Sequence, residues 1–474
     1  MGAANVSAPT FSNTTPGSIL EMRLVNTGNT INPAGSTTTL GTFTKGEVPA
    51  GSGIQALVNG QLVTAQIDVK TRHADGSAET GVVTFQHDKI AAGGAVDIVL
   101  LRSDAAPAPA LDLAARMDSY SLIAKVDPVG SAPEVSIDLA AALKAAIANG
   151  TADFWQKGAE ATGARVEVPM GGSMRLVADI TATADGNVKA SVQFANDIAM
   201  GATGGTQQFK ATVVENGVTK FQHDVTEVQY QSFRAQVSTA GDDSLHLQHD
   251  IQNLIATGMV ANYDVAMGVS ESLLKALGAD AAAPGFTDPL ATAGVTQYMP
   301  MTGGRSDIGM TTMQNTAWLI SQDVRAADAA LGQAEAAATV PWRMWDAANG
   351  TWLNTDNYPK LWNDGRGGVG KPGDVNSGGL TQQSENGGWT PETAHQPDLS
   401  YVPYLMTGDR FHLENVQAQA AWSIMSHWTW PRGDANDLVV KDTQVRGAAW
   451  SLRELVEAAA ISPDGSKEMA YFTA

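Results

Sequence analysis

Read as apolar and polar positions, the first 235 residues follow a period of two. Short runs alternate inward and outward residues, among them "SILEMRLVN" (18–26), "GIQALVNGQLVTAQIDVKTRH" (53–73), "RLVADITATADGNVKASVQFAND" and "QQFKATVVENGVTKFQHDVTEV". Gly, Asn-Gly or Asp-Gly separates them, the pattern of antiparallel hairpins. Asn216-Gly217 and Asp75-Gly76 supply the positive-φ positions that tight turns need. One stretch breaks the alternation. "SIDLAAALKAAIANG" has apolar residues at helical spacing and an Asn-Gly stop, which predicts an inserted helix near 137–149. These signals predict two β-sandwich-like modules, 1–105 and 106–235, the second holding the helix, with "SDAAPAPALD" as a linker-like stretch between them. The string "FQHD" occurs at 85–88 and 221–224 and raises the question of a duplicated module.

After a connecting segment, 236–304, the period changes. Helical stretches separated by Gly, Pro and Asp follow one another from 305 to 474: "IGMTTMQNTAWLISQDVRAADAALGQAEAAA", "DRFHLENVQAQAAWSIMSH" and "QVRGAAWSLRELVEAAAIS". In the second, Phe411, Val416, Ala420 and Ile424 recur at three-to-four spacing and predict an amphipathic helix. Ten of the eleven tryptophans lie in this half, many between helices. Helix hairpins joined by long aromatic loops predict an α/α-toroid-like arrangement.

Composition narrows the function classes. With 43% hydrophobic and 16% charged residues and no run of about 20 apolar residues, the chain reads as globular without a membrane span. The net charge of −20 disfavours nucleic-acid phosphates as partners. Without cysteine, disulfides and thiolate metal sites are excluded. The opening "MGAANVSAPTFSNTTPGS" has neither the basic nor the apolar region of a secretion signal, so either a leader was removed or release by lysis, as for a virus particle, is expected. Walker, dinucleotide and GxSxG fingerprints do not occur, and no cofactor or metal is expected. His246, His249 and Asp250 of "HLQHD", with Asp242 and Asp243 nearby, are spaced for zinc but lack a third specified ligand.

The densest candidate chemistry lies in "GGWTPETAHQPDLSYVPYLMTGDRF" (387–411). A mechanical reading makes Thr390-Pro391-Glu392 a helix start, Pro397 and Pro403 interruptions, and Tyr401, Tyr404 and Leu405 core. A chemical reading pairs His395 with Asp398, three residues on, as an acid/base unit. With Tyr401 and Arg446 it would supply the base, acid and cation that a uronate lyase needs. A hydrolase would instead draw two carboxylates from Asp364, Glu392, Asp398 and Asp409. Residue types leave these readings open. Arg305 in "TGGRSDIG" is either an anion-binding residue or part of a helix entry capped by Asp307. Trp342, Trp345, Trp352, Trp362 and Trp389 are either a sugar-stacking platform, with Tyr404 beside it, or buried junction residues.

"QYMPMTGGRSDIG" (297–309), "VPWRMWDAANG" (340–350), "DNYPKLWNDGRGG" (356–368), "GWTPETAHQPDLSYVPYLMTGDRF" (388–411) and "VRGAAWSLREL" (445–455) resemble, in that order, segments of large bacterial and bacteriophage proteins. "TRHADGSAETGVVTF" (71–85) adds to the likeness. These proteins carry β-sandwich modules ahead of an α/α-toroid domain like those of polysaccharide lyases and glycosidases. The resemblance implies a carbohydrate context. It departs from the family in one respect: 305–474 is shorter than a ring of about twelve helices with loops requires, so a ring that is open, small, completed by another subunit or a second copy, or truncated in this chain is expected. The expected function is a virion component (tail tip, baseplate or fibre) that docks through its β-modules and contacts host surface polysaccharide through the helical domain. The alternative is a free, secreted polysaccharide lyase or glycosidase.

Overall fold

The computed structural model describes residues 5–11, 14–201, 203–241, 244–301, 304–363, 387–427, 429, 432–433, 435 and 445–474. It is a mixed β and α protein whose sheets are antiparallel. Trp428, Trp430, Asp242, Asp243 and Asp364 lie outside the described residues.

The alternating half folds into antiparallel strands, but residues 18–103 form part of one curled sheet. The strands are β1 (Ser18–Asn26), β2 (Gly35–Thr42), β3 (Gly53–Val58), β4 (Gln61–Arg72), β5 (Ala78–His87) and β6 (Ala95–Ser103), then β7 (Leu122–Pro128), β8 (Val135–Asp138), β9 (Asp153–Lys157), β10 (Ala161–Gly171), β11 (Met174–Thr183) and β12 (Val188–Asn196), and finally β13 (Gln207–Glu215), β14 (Val218–Glu227), β15 (Gln231–Ser238) and β16 (Leu245–His249). The first sheet runs β16-β1-β6-β3-β4-β5-β2. It curls because β4 changes partner along its length: Gln61–Thr64 pair with β3, and Ala65–Arg72 with β5 through bulges near Val69 and Thr71. The connecting segment thus returns a strand, β16, to the first sheet.

Sheets β15-β12-β11-β10-β9 and β14-β13-β7-β8 pack face to face as a sandwich. Its core stacks Phe194 on Phe233 at 5.2 Å, with Phe209 and Phe221 beside them. A short helix α1 (Leu113–Arg116) precedes the sandwich, and α2 (Leu139–Ala148) is the inserted helix. Asp138 caps α2 by accepting from the Ala141 amide, and Leu139, Ala140 and Leu143 face the core. The two "FQHD" strings occupy unlike places. β5 is an interior strand, β14 an edge strand, and the sheets that hold them differ in strand order.

Helices dominate the rest: α3 (Ile251–Ala256), α4 (Glu271–Ala281), α5 (Met313–Ser321), α6 (Val324–Ala337), α7 (Tyr401–Thr407), α8 (Arg410–Met425), α9 (Val445–Ile461) and α10 (Lys467–Thr473). The stretch predicted as one helix over 308–338 divides at Gln322, which adopts φ 53° and receives no helical continuation.

The helix α8 differs most from its sequence reading. Described as amphipathic by its apolar spacing, it is buried nearly all round, including His412, Glu414, Asn415, Gln417 and Gln419. The reason is the sheet beneath it. Cross-strand registers line up Glu167, Val177, Gln193 and Arg234 in one row of the outer sandwich face, and Arg165, Asp179, Ser191 and Gln236 in the next. Arg165 bonds Asp179 through two nitrogens and reaches Glu414 on α8, while Arg234 bonds Glu335 on α6 and Asp409 at the start of α8. The polar side of α8 therefore meets protein charges instead of water.

Candidate functional site

The segment 388–401 is held on three sides. Thr390 pairs with Gln297 and Met299 of the preceding loop, Asn315 of α5 donates to the Asp398 carbonyl at 3.3 Å, and Arg453 of α9 donates to the Gln396 carbonyl at 3.1 Å. A single 3-10 turn, Thr393–His395, replaces the expected helix start. Gln396 is extended (φ −72°, ψ 135°) because it precedes Pro397, whose ring disfavours helical geometry in the residue before it. This breaks the pairing expected between His395 and Asp398.

His395 instead pairs backward. Its Nδ1 lies 2.5 Å from Glu392 Oε2, and its Nε2 lies 2.6 Å from Arg446 Nη1 on α9. A guanidinium only donates, so Nε2 accepts from Arg446 and the proton resides on Nδ1, which donates to Glu392. Glu392 is buried and Arg446 exposed, so the carboxylate orients the imidazole from below and the arginine covers it from the solvent side. Arg305 completes the base by donating to the His395 carbonyl at 3.0 Å, the Met299 carbonyl at 2.9 Å and Asp307 at 2.8 Å. These bonds tie the Arg305 loop to the turn that presents His395.

The other members of the expected site lie elsewhere. Asp398 is buried, accepts from the Tyr401 amide at 3.4 Å, and is raised by desolvation above the usual carboxylate range. Its other oxygen has no hydrogen-bond partner. Tyr401 donates its hydroxyl to the Met259 carbonyl at 2.8 Å inside the core, and burial raises its pKa well above the ordinary value. Tyr404 is fully buried, with its hydroxyl unpartnered. Neither tyrosine reaches the His395 side chain's solvent face.

The tryptophans are placed as junction residues. Trp342 and Trp389 belong to one apolar cluster with Trp422, and Trp352 belongs to a second. All four are buried. Half-buried Trp345 has the Arg175 guanidinium over one face at 4.3 Å and Trp352 edge-on at 5.3 Å. Trp362 is half-buried as well. Trp342, Trp352 and Trp389 thus lie in the core, and Trp345 carries Arg175 over one face and Trp352 at its edge.

His246 and His249 are also committed to structure. Each presents Nε2 to a backbone carbonyl, Gln322 at 2.9 Å and Met406 at 3.0 Å, and donates to it. Burial lowers both, His249 to about 4, so both rings are neutral. Asp250 caps α3. No group of three metal-ligating side chains occurs among the described residues. Among the hydrolase carboxylates, Asp409 is bound to Arg234 and depressed to about 2: burial opposes the shift, but the attraction of Arg234 outweighs it.

A larger feature escapes motif reading. The outer face of the five-stranded sheet continues beyond α8 as the floor of an open cleft of about 910 Å³. One cross-strand row of this floor is Gly163, Thr181, Lys189 and Ser238, and Asp179, Ser191 and Gln236 supply the next. The opposite wall comes from the first sheet, through Asn32–Ser36, Thr38 and His87, and Thr407–Arg410 close one end. Gly163 keeps the floor open beside Thr181, because a Cβ there would lie 2.2 Å from Thr181 Oγ1. Trp155, the single tryptophan of the first half, borders the cleft, but Lys70 stands over its ring at 3.7 Å and Arg410 at 5.4 Å. The floor therefore offers hydroxyls, amides and charges of both signs at strand spacing. The alternation in "RLVADITATADGNVKASVQF" marked those residues as outward-facing; only the wall contributed by β2 and β5 makes a cleft of them. Among the described residues no helix is long and apolar enough to cross a membrane. Compared with protein-family models and with curated proteins, the chain matches none.

Proposed function

We propose that the protein is an adhesive component of a phage-like particle that takes a strand of host surface polysaccharide into the cleft between its β units. The observation that carries the glycan contact is the cleft floor: two adjacent cross-strand rows that present Thr181 and Ser238, and Ser191 and Gln236. Neutral donors and acceptors on a preformed surface suit a hydroxylated polymer, and an elongated open site suits a chain better than a small metabolite. The particle context rests on the resemblance carried by 297–455. The chain's charge of −20 adds that phosphate-rich polymers are disfavoured. The test is glycan-array binding followed by titration calorimetry. Each neutral hydrogen bond contributes roughly 0.5–1.5 kcal/mol, so Thr181→Val with Gln236→Ala should weaken binding about tenfold and leave the melting temperature close to wild type. Unchanged affinity in that double variant would remove the cleft from the reading.

A second reading, a free lyase or glycosidase, is favoured by one specific observation, the Glu392–His395–Arg446 unit. A neutral imidazole oriented by a buried carboxylate is a usable base once an anionic substrate draws Arg446 away from Nε2. Tyr401 does not serve as the acid in this reading, since its hydroxyl is spent on Met259. Incubation with uronate-rich polysaccharide should then yield an unsaturated product absorbing in the near ultraviolet, and with neutral polysaccharide new reducing ends. His395→Ala should lower turnover at least about a hundredfold. Absence of both products from uronate-rich and neutral polymers leaves adhesion as the function.

A further inference from the structure

The helix α9 buries Leu455, Ala458 and Ile461 yet leaves a second apolar stripe facing solvent. Its buried positions include Ser451, Arg453 and Glu454, whereas Val445, Leu452 and Val456 are 80%, 52% and 59% exposed. Ala449 is exposed between them. A helix on the surface of a protein ordinarily does the reverse, and an apolar stripe left facing water marks an interaction site. The spacing is informative. Positions 445, 449, 452 and 456 step by four, three and four, an alternation that keeps one stripe on one side of the helix over three turns.

We propose that this face is a self-association surface, in which α9 packs against α9 of a second copy about a two-fold axis. Three observations select a second copy. First, a seam of this spacing is self-complementary, as a two-fold contact requires, because the same stripe serves both partners. Second, the charge on this face suits two like-charged chains. Each copy carries −20, yet among the described residues the outward positions of α9 include no carboxylate, and Arg446 is its exposed charge. Third, the apolar area is of the right size. The loop beside α9 is tied to it through Arg453 on the Gly309 carbonyl and through His395, which bonds both Arg305 and Arg446. That loop exposes Tyr298, Met301 and Met310 by half or more. With the stripe, these side chains present on the order of 700 Å² per copy, close to the roughly 800 Å² per partner of a stable interface.

The full chain tests this directly. Sedimentation velocity at about 10 μM, a concentration at which an interface of standard size commonly holds, should show a dimer of the 49.4 kDa chain. Leu452→Glu with Val456→Glu should shift it to a monomer with unchanged circular dichroism, since both side chains face solvent in the single copy. The chain contains no cysteine, so Leu452→Cys and Val456→Cys each introduce one thiol that a short bismaleimide links only if the two stripes face each other. A linked dimer from either variant is expected. A monomeric wild type, a dimer that survives the double glutamate variant, or failure of both thiols to link would overturn the proposal. So would a monomer whose stripe instead binds lipid vesicles.

Discussion

Glu414→Ala is expected to destabilise the protein by about 3–5 kcal/mol, the scale for removing one partner from a buried ionic cluster. Glu414 accepts from Arg165, faces Arg343 at 3.6 Å and Arg410 at 3.8 Å, and is depressed to about 2 by these three guanidiniums against the opposing effect of burial. Arg165 keeps Asp179 in the variant. Arg343 does not fare as well. It is fully buried, burial lowers its pKa, its Nε has no partner, and without Glu414 its contacts are the neutral Asn415 and Gln193. The pH dependence supplies a second estimate. A carboxylate whose folded pKa lies below its unfolded value contributes stability that is present above the unfolded pKa and lost as pH falls through the folded one. For Glu414 the window runs from about pH 4.5 down to about 2, worth roughly 3 kcal/mol. Urea unfolding at pH 7 and pH 3 measures both. The variant should be weaker at pH 7 and lose less of its stability on acidification than the wild type does. A variant within about 1 kcal/mol of wild type at pH 7 would mean that Arg343 finds water or another anion.

Local signals were legible where local physics decides. The Asn216-Gly217 turn, the end of α2 at Asn149-Gly150 and the alternation of β10 to β12 are read from neighbours in sequence, and they stand in the structure as expected. What failed concerns what lies across from a residue. In α8 the polar positions were read as facing solvent, but Arg165, Gln193 and Arg234 of a distant sheet face them. The helix α9 was read only as a helical stretch; in it charges turn inward to 388–401 and one apolar stripe outward, while Leu455, Ala458 and Ile461 are buried. His395 shows another kind of miss. A carboxylate neighbour was expected from spacing alone, and one exists, but Pro397 breaks the turn after it and leaves Glu392, three residues before, as the partner. Trp342, Trp352 and Trp389 share clusters with Trp422, Met425, Ala418 and Ala421 of α8, neighbours that lie far from them in sequence.

The charges that α9 turns inward lead to the second large effect. Glu454→Gln should remove one carboxyl's share, roughly 3 kcal/mol, of a loss of stability that the wild type shows as pH rises above about 4.5. Glu454 is buried beside Asp398 and Glu457 with one guanidinium, Arg453, among three carboxyls. Arg453 Nε donates to Glu454 at 3.0 Å, while Asp398 Oδ2 and Glu457 Oε2 have no hydrogen-bond partner. Desolvation, only partly offset by Arg453, pushes Glu454 up to about 7 and raises Asp398 and Glu457 as well. Tyr401, facing the same carboxylates, is held in its neutral form. One cation cannot balance three anions, so the folded state keeps protons that the unfolded chain releases above about pH 4.5. A group whose folded pKa is raised contributes stability that is complete below the unfolded pKa and lost as pH rises through the folded one. For Glu454 that loss amounts to roughly 3 kcal/mol. Glutamine keeps an acceptor for Arg453 and does not titrate. The variant should match the wild type near pH 5 and exceed it at pH 8, with a flatter profile between. A wild-type profile that is itself flat from pH 4.5 to 7, or a variant that loses stability over that range as steeply as the wild type, would show that the cluster is already hydrated or ionised in the folded protein.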